Sequence, residues 1–392
     1  MRNFVFISPN FPSNYQNFCR ELKNNGFNVL GIGDCAYDLL TDELRGSLTE
    51  YYRVNSLENY DEVYRAVAFF IFKYGKIEYI ESNNEYWLER DALLRTEFNI
   101  STGFHVRDMK KVKFKSEMKK YYKKIGLKVA RHYLVKTLSG CKKFIGQVGY
   151  PVIVKPNNGV GANSTFRIKN EDELKAFMAG KPSGYIMEEY IDGAVNSYDA
   201  IVDGEGIPVF ESGLVETASL MDTVNDGLNS CYYYLGQPYE DIREAGRKVL
   251  KAFKVKNRFV HFEFFRLLSD QSIGKKGEIC ALEVNMRPAG GCSPDMINYA
   301  NSTDVYKIWA DVLAFGKTQL SAKTNKLCGY AGRRYGKTFT HDEQYILQKY
   351  ADKLMAVEHI PEVLVGTMGN IAYIADFDNR EEMFEFFKDV VE

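Results

Sequence analysis

The first hundred residues alternate between short apolar runs and longer segments in which apolar side chains recur every three to four positions. The short runs predict β-strands and the periodic segments predict helices. The predicted strands are 3–8, 28–32, 51–54 and 77–81, and the predicted helices are 14–25, 61–74 and 85–98. Strands that alternate with helices form a parallel sheet covered on both faces. Residues 1–105 are therefore predicted to form a small doubly wound α/β domain.

The pattern changes after a basic segment, residues 107–128, which holds ten Lys and Arg side chains and two acidic ones. A helix with most of these charges on a solvated face explains this segment. Strands dominate beyond it, and they are predicted at 151–155, 185–189, 196–202, 208–211, 258–268 and 278–286. One helix is predicted at 239–253. The tail is predicted to hold helices at 342–353 and 380–391 around a strand at 369–375.

Composition and charge exclude several classes of function. Lys and Arg number 51 and Asp and Glu number 52, which argues against a dedicated nucleic-acid binder. The longest apolar run, 66–72, is far shorter than the roughly 20 residues that span a bilayer. The N-terminus lacks a signal-peptide layout, and the seven cysteines are scattered and never form a CxxC pair. These features predict a cytoplasmic protein without membrane or nucleic-acid partners.

The segment 278–291 carries the most specific chemical pattern. Alternation along a strand places Glu283, Asn285 and Arg287 on one face together with Ala281, and apolar side chains on the other face. A carboxylate, an amide and a guanidinium in line beside a Gly-Gly pair are unusual for a surface strand. This segment is therefore predicted to line a functional site.

Glu263 supplies a second carboxylate from the strand before it. If the two strands form a hairpin, Glu263 and Glu283 face the same way on neighbouring strands. Two such carboxylates repel each other unless a cation lies between them, and Mg²⁺ commonly binds one or two carboxylates together with substrate phosphates. Asn285 adds a neutral oxygen, and Arg287 suits a transferring phosphoryl or acyl-phosphate oxygen.

Two further segments indicate phosphate and base binding. A buried strand ends at Lys155 and continues into a loop of small residues, 157–165, whose backbone N–H groups can approach phosphate oxygens. Residues 187–193 form a strand edge followed by a turn. A rival nucleotide motif, Gly31 and Gly33 after the second strand, lacks the third glycine of a dinucleotide fingerprint.

These four segments, in this order, resemble the ATP-grasp superfamily, and most closely its carboxylate–amine ligases and the carbamoyl-phosphate-synthase-like group. The resemblance implies an α/β (α+β grasp) fold, with a Rossmann-like pre-ATP-grasp domain followed by a two-subdomain ATP-grasp fold. The implied domains are the Rossmann-like domain (1–105), the lid subdomain (106–190), the catalytic subdomain (191–320) and a C-terminal α/β extension (321–392).

The same resemblance implies roles for individual residues toward ATP. Lys115 and Lys155 would hold the α- and β-phosphates, with Lys113 as a rival for the first of these roles. The further nucleotide contacts implied are Gly159, Gly161 and Ser164 over the phosphates, and Glu188, Glu189, Ile191 and Asn196 at adenine and ribose. This sequence departs from the family at two positions, where Phe114 replaces a common Asp and Val195 replaces a common Glu.

The implied chemistry is ATP- and Mg²⁺-dependent ligation. Glu263, Glu283 and Asn285 would bind Mg²⁺, with Mn²⁺ as a substitute, and Arg287 would steady an acyl phosphate. The implied partners are a small-molecule carboxylate and an amine, in a chain that is monomeric or a homodimer. The alternatives are a nucleotide-binding regulatory module without turnover and, from Gly31 to Ala36, an NAD-dependent oxidoreductase.

The substrate crevice is expected where the strands of the first domain end. Ligands of open α/β sheets bind outside the carboxyl ends of the strands. Polar residues that follow the first and fourth predicted strands are Ser8, Asn10, Glu81, Asn83 and Glu85.

Overall fold

The computed structural model describes residues 2–159, 164–217 and 227–392, which form three β-sheets with surrounding helices. Within these ranges no helix is both long and apolar enough to cross a lipid bilayer.

The first sheet is parallel and four-stranded, with helices on both faces, which confirms the predicted α/β fold. Its elements are β1 (Arg2–Ile7), β2 (Phe27–Gly33), β3 (Glu50–Arg53), β4 (Ile77–Glu81), α1 (Gln16–Asn24), α2 (Asp42–Ser47), α3 (Tyr60–Tyr74) and α4 (Leu88–Glu97). The strand order is β3-β2-β1-β4. Phe4 and Phe6 of β1 are buried on one face of this sheet, and Val5 and Ile7 are buried on the other.

The basic segment forms two helices that meet at Phe114, whose extended backbone (φ −92°, ψ 114°) interrupts the helical path. An antiparallel four-stranded sheet of order β5-β8-β6-β7 follows. These elements are α5 (Val106–Lys113), α6 (Lys115–Lys124), β5 (His132–Leu134), α7 (Leu138–Val148), β6 (Val152–Pro156), β7 (Phe166–Ile168), α8 (Glu171–Ala179) and β8 (Tyr185–Glu189). The predicted solvated face does not hold for Lys113, Lys115 and Lys119, which are buried.

The third sheet is eight-stranded and runs in the order β13-β12-β9-β10-β11-β14-β16-β15. Its strands are β9 (Gly193–Val202), β10 (Pro208–Glu216), β11 (Ser230–Leu235), β12 (Arg258–Leu267), β13 (Ile279–Asn285), β14 (Leu327–Arg333), β15 (Leu354–His359) and β16 (Ile371–Phe377). The helices are α9 (Glu240–Phe253), α10 (Ser293–Asn301), α11 (Val305–Phe315), α12 (Glu343–Lys349), α13 (Glu362–Met368) and α14 (Arg380–Val391). Strands on both sides of residue 320 therefore belong to one sheet.

Aromatic packing joins the first domain to the large sheet. Trp309 of α11 is buried against Phe4 and Phe18, with ring centroids 5.7 and 5.0 Å away. A buried aromatic side chain of this size stabilises the contact by about 1.5–3 kcal/mol. The contact packs α11 against β1 and α1 of the first domain.

Candidate active site

The β12–β13 hairpin places two carboxylates directly opposite each other. Glu263 pairs with Glu283 and His261 pairs with Asn285, so all four side chains lie on one face, as the sequence predicts. Asn285 Nδ2 donates a hydrogen bond to Glu263 Oε1 over 3.2 Å. On this face the hairpin therefore concentrates negative charge and amide dipoles in a small area.

His261 lies between two carboxylates on this face. Its Nδ1 lies 2.9 Å from Asp199 Oδ1 of β9, and its Nε2 lies 3.2 Å from Glu263 Oε1. Burial alone would lower the pKa of His261, but the two carboxylates outweigh burial and raise it to about 10. The imidazolium is thus a fixed positive charge that orients Glu263.

The prediction that Ala281 shares this face is wrong. The pairing of β13 with β12 shifts register between Glu263 and Phe264, so one extra residue, Leu282, separates Glu283 from Ala281. Ala281 is consequently buried in the apolar cluster behind the sheet, together with Val284. Strand alternation holds only from Glu283 onward.

Lys115 lies in the first turn of α6, and its side chain points at the carboxylate of Glu283. Its Nζ lies 2.7 Å from Glu283 Oε2 and donates to the carbonyl of Gly159 over 3.0 Å. Burial alone would lower the pKa of Lys115 and raise that of Glu283, but the attraction between them reverses both shifts. Lys113 turns away and pairs instead with Glu85 Oε1 at 3.0 Å. This geometry favours Lys115 over Lys113 as the first lysine.

A second buried cluster lies under the middle sheet. Glu188 of β8 forms ion pairs with Lys155 of β6 at 2.9 Å and with Lys119 of α6 at 2.8 Å. Burial alone would raise the pKa of Glu188, but the two ammonium groups hold it well below its usual value. Lys119 was not singled out in the sequence, although it lies one helical turn after Lys115 and on the same helix face.

The predicted base-binding segment follows the end of β8. The Glu189 carboxylate accepts hydrogen bonds from the Arg131 backbone N–H and guanidinium, and the Glu189 N–H donates to the Arg131 carbonyl at 3.0 Å. Ile191 is buried against Leu267 and Cys280. The backbone of this segment is thus held rigidly beside the cluster around Glu188.

The loop after β6 is described at residues 157–159 and from Ser164 onward. Gly159 contacts Lys115 through its carbonyl, and Ser164 is exposed in a left-handed conformation (φ +60°). Gly161 lies outside the described residues. Asn157 ties the start of this loop to α6, because its carbonyl accepts from the Lys115 N–H at 2.9 Å.

Asn196 does not face the site. Its side chain lies on the opposite face of β9 from Asp199, where Oδ1 accepts from Arg266 Nε over 3.2 Å. Arg266 in turn pairs with Asp241 of α9. The predicted nucleotide contact therefore does not hold for the Asn196 side chain, because the large sheet lies between this side chain and the face that carries Glu263 and Glu283.

Arg287 follows β13 and borders a cavity of about 970 Å³ between the first sheet and the large sheet. Its Nη1 donates to the Pro288 carbonyl at 2.7 Å, and its Nε lies 3.8 Å from Glu85 Oε2. Several of the predicted strand-end residues line the cavity, and these are Ser8, Asn10 and Glu85. Lys113 also lines it, and Val363 and Leu364 of α13 form one wall.

Glu81 and Asn83 do not line this cavity. Glu81 pairs with Arg258 and, at 2.9 Å, with Arg95, which places it in the packed junction between two sheets. Asn83 is buried in a left-handed conformation and its carbonyl accepts from the Tyr15 hydroxyl. Both residues pack behind the cavity and do not contact the space inside it.

The donor set around Glu283 fits a hard divalent cation that shares its coordination with phosphates. In the described part of the chain, no group of three or more His, Cys, Asp or Glu side chains could hold a metal by itself. Two facing carboxylates and an amide oxygen match Mg²⁺, which binds through few protein ligands and completes its shell with phosphates and water.

We compared the chain with protein-family models and with known proteins. Residues 148–295 match the family model described as an ATP-grasp domain. The carbamoyl phosphate synthase large chain of Vibrio vulnificus is 24% identical over 201 residues, 49% of this chain and 17% of that one. The N-terminal section of the Methanopyrus kandleri large chain is 27% identical over 110 residues, 26% of this chain and 20% of that one. The chain thus aligns with about a fifth of each of these relatives.

Solved structures match over the whole chain. An L-amino acid ligase from Bacillus licheniformis superposes with a TM-score of 0.74 at 16% identity, covering 100% of this chain and 97% of that one. N5-carboxyaminoimidazole ribonucleotide synthetase from Thermotoga maritima gives 0.67 at 15% identity, covering 98% and 96%. At such identities the likeness concerns the fold. The matched family model identifies an ATP-grasp domain within residues 148–295 of this chain.

Proposed function

We propose that this chain is an ATP- and Mg²⁺-dependent ligase that activates a substrate carboxylate as an acyl phosphate and couples it to an amine. ADP and phosphate are the other products. The observation that carries the proposal is the convergence of Lys115, Lys155, Glu263 and Glu283 between two sheets, with Arg287 in the wall of the cavity.

The two lysine–carboxylate clusters support nucleotide binding. Lys115 and Lys155 now neutralise Glu283 and Glu188, and each would exchange its carboxylate for phosphate oxygens of ATP. The Glu189 carbonyl and the Ile191 N–H are the groups that would bind adenine. In this proposal residues 106–190 act as a lid over a catalytic unit that begins at residue 191, residues 1–105 bind substrate, and residues 321–392 extend the catalytic sheet.

The reaction follows from the charges around the cavity. A substrate carboxylate beside Arg287 attacks the γ-phosphorus, and the bond from phosphorus to ADP breaks. The amine then attacks the acyl carbon, and phosphate leaves with one oxygen of the original carboxylate. Arg287 and the two lysines stabilise the negative charge that develops. Glu263, Glu283 and Asn285 would hold Mg²⁺, which would neutralise negative charge on the phosphates.

The test is ADP release with Mg²⁺ and ATP, using pooled carboxylic acids crossed with pooled amines. Lys155→Ala serves as the blank, and Lys142→Ala, an exposed lysine of α7 in the same sheet layer, serves as the matched control. The proposal predicts substrate-dependent ADP release in the wild type and in Lys142→Ala only. MgATP binding without release in any pool would instead support a regulatory nucleotide-binding module.

A further inference from the structure

One buried carboxylate faces the 970 Å³ cavity without a full set of partners. Of the described carboxylates that line it, Glu85 is 6% exposed, whereas Asp34 and Glu89 are exposed. Lys113 lies 3.0 Å from Glu85 Oε1 and also donates to the Glu85 carbonyl at 3.0 Å. The other oxygen, Oε2, is buried and accepts no hydrogen bond from any residue that the structure describes.

Such an oxygen indicates a missing donor. Buried polar atoms are nearly always hydrogen-bonded, and an unsatisfied one costs about 1–3 kcal/mol, more when it carries charge. Arg287 Nε is 3.8 Å from Oε2, which is too far for a hydrogen bond although it still attracts the carboxylate. Glu85 Oε2 therefore offers a charged acceptor to whatever occupies the cavity.

We propose that Glu85 binds the amino group of the substrate whose carboxylate is activated beside Arg287, and that this substrate is an α-amino acid. The inference rests on the function proposed for Arg287. The two protein charges lie 3.8 Å apart, so the complementary ammonium and carboxylate are separated by only a few bonds. A dicarboxylate would bring a second negative charge against Glu85, and an ω-amino acid would hold its charges too far apart.

Much of the remaining wall is apolar. Phe11, Leu57, Trp87, Val363 and Leu364 line the cavity around the charged corner. Pockets of this kind bind the apolar part of a ligand by burial and use a few polar groups for orientation. An amino acid with an aliphatic or aromatic side chain would place its charged groups at Glu85 and Arg287 and its side chain against the apolar wall.

The test compares amino acids with analogues that lack only the amino group. L-Leucine and L-phenylalanine are assayed against 4-methylpentanoate and 3-phenylpropanoate, with hydroxylamine as the amine and hydroxamate as the product. The wild type is expected to prefer the amino acids by about 10- to 100-fold in kcat/KM, the value of a hydrogen bond to a charged group. Glu85→Gln is expected to lose most of this preference through KM, whereas Glu97→Gln, an exposed carboxylate on α4, keeps it.

Equal use of both kinds of acid by the wild type would overturn the proposal, whatever the stability of Glu85→Gln. If no acid yields hydroxamate, the same four acids are titrated by calorimetry into the wild type and Glu85→Gln, with Mg²⁺ and a non-hydrolysable ATP analogue present. Amino-acid binding that depends on Glu85 would keep this subsite and reject the ligase. Absence of such binding would reject the subsite as well.

Discussion

At the scale of single residues, the site is built from buried charges that neutralise each other. Strand spacing predicted that Glu263, Glu283 and Asn285 share one face, and the pairing confirms it, because a hairpin fixes which side chains face each other. Lys119 was not predicted, because a lysine in a basic helix is expected to be exposed to solvent unless its buried partner, here Glu188, is known. That partner lies on strand β8, more than sixty residues further along the chain, and no local pattern encodes the contact.

The first prediction concerns Glu283. Glu283→Gln keeps the shape of the side chain but removes the charge that pairs with Lys115 and that would bind Mg²⁺. Turnover is expected to fall by about 100-fold or more, since several kcal/mol of charge stabilisation disappear. Glu278→Gln, at an exposed position directly before the same strand, is the matched control and should retain full activity. Near wild-type ADP release by Glu283→Gln would refute the metal assignment.

The second prediction concerns Glu188 and pH. Its folded-state pKa is depressed, so its ionised form contributes stability above the unfolded-state value of 4.5, and this contribution is lost as pH falls below it. Glu188→Gln is expected to lower the free energy of unfolding by about 3 kcal/mol at pH 7, because two buried lysines lose their partner. Denaturant titrations should show the difference from wild type narrowing as pH falls from 4.5 toward the depressed folded-state pKa of Glu188. A difference that is independent of pH would contradict this account.

At the scale of elements, the first domain was predicted closely, whereas the amphipathic helix α7 and the strands β11 and β14 were not predicted. The strands and helices of the first sheet follow their apolar periodicity closely. Helix α11 was missed because it is apolar on nearly every side, being packed between two sheets, so it has no polar face to mark a period. The bulge at Leu282 was missed because it arises from pairing with β12 and leaves no trace in the strand's own sequence.

The third prediction concerns the junction of β4 with β12. Arg258 pairs with Glu81 and donates to the Met286 carbonyl at 2.7 Å, directly before Arg287. A double-mutant cycle with Arg258→Met and Glu81→Gln should give a coupling energy of about 1.5–3 kcal/mol, since both groups are buried. Arg258→Met should also lower kcat, because it frees the backbone that carries Arg287. Additive effects on unfolding would show that the two elements are energetically independent.

At the scale of the whole molecule, the cavity exists only because two differently built sheets meet. The parallel sheet contributes its strand ends, the large sheet contributes Arg287, and α13 closes one side. The sequence predicted the first two contributions from topology rules, whereas the third is long-range: α13 follows β13 by more than seventy residues. Its place over the cavity depends on β14 and β16 joining the large sheet, which local patterns do not encode.

The fourth prediction concerns nucleotide binding by the intact chain. A non-hydrolysable ATP analogue with Mg²⁺ binds the folded state only, so at 100 times its Kd it should stabilise the protein by about 2.7 kcal/mol. Thermal unfolding should therefore show a higher Tm in the wild type and in Lys142→Ala, and little change in Lys155→Ala. An equal rise in Lys155→Ala would mean that Lys155 does not contact the nucleotide.

The most direct test of the proposed ligase follows one oxygen atom. A carboxylic acid that supports ADP release is labelled with ¹⁸O in its carboxylate, and the phosphate produced is analysed by mass spectrometry. Because an acyl phosphate carries a carboxylate oxygen into the leaving phosphate, the account predicts one ¹⁸O atom in each phosphate formed. Unlabelled phosphate, with ADP release intact, would show that water rather than the carboxylate attacks ATP and would contradict the proposed reaction.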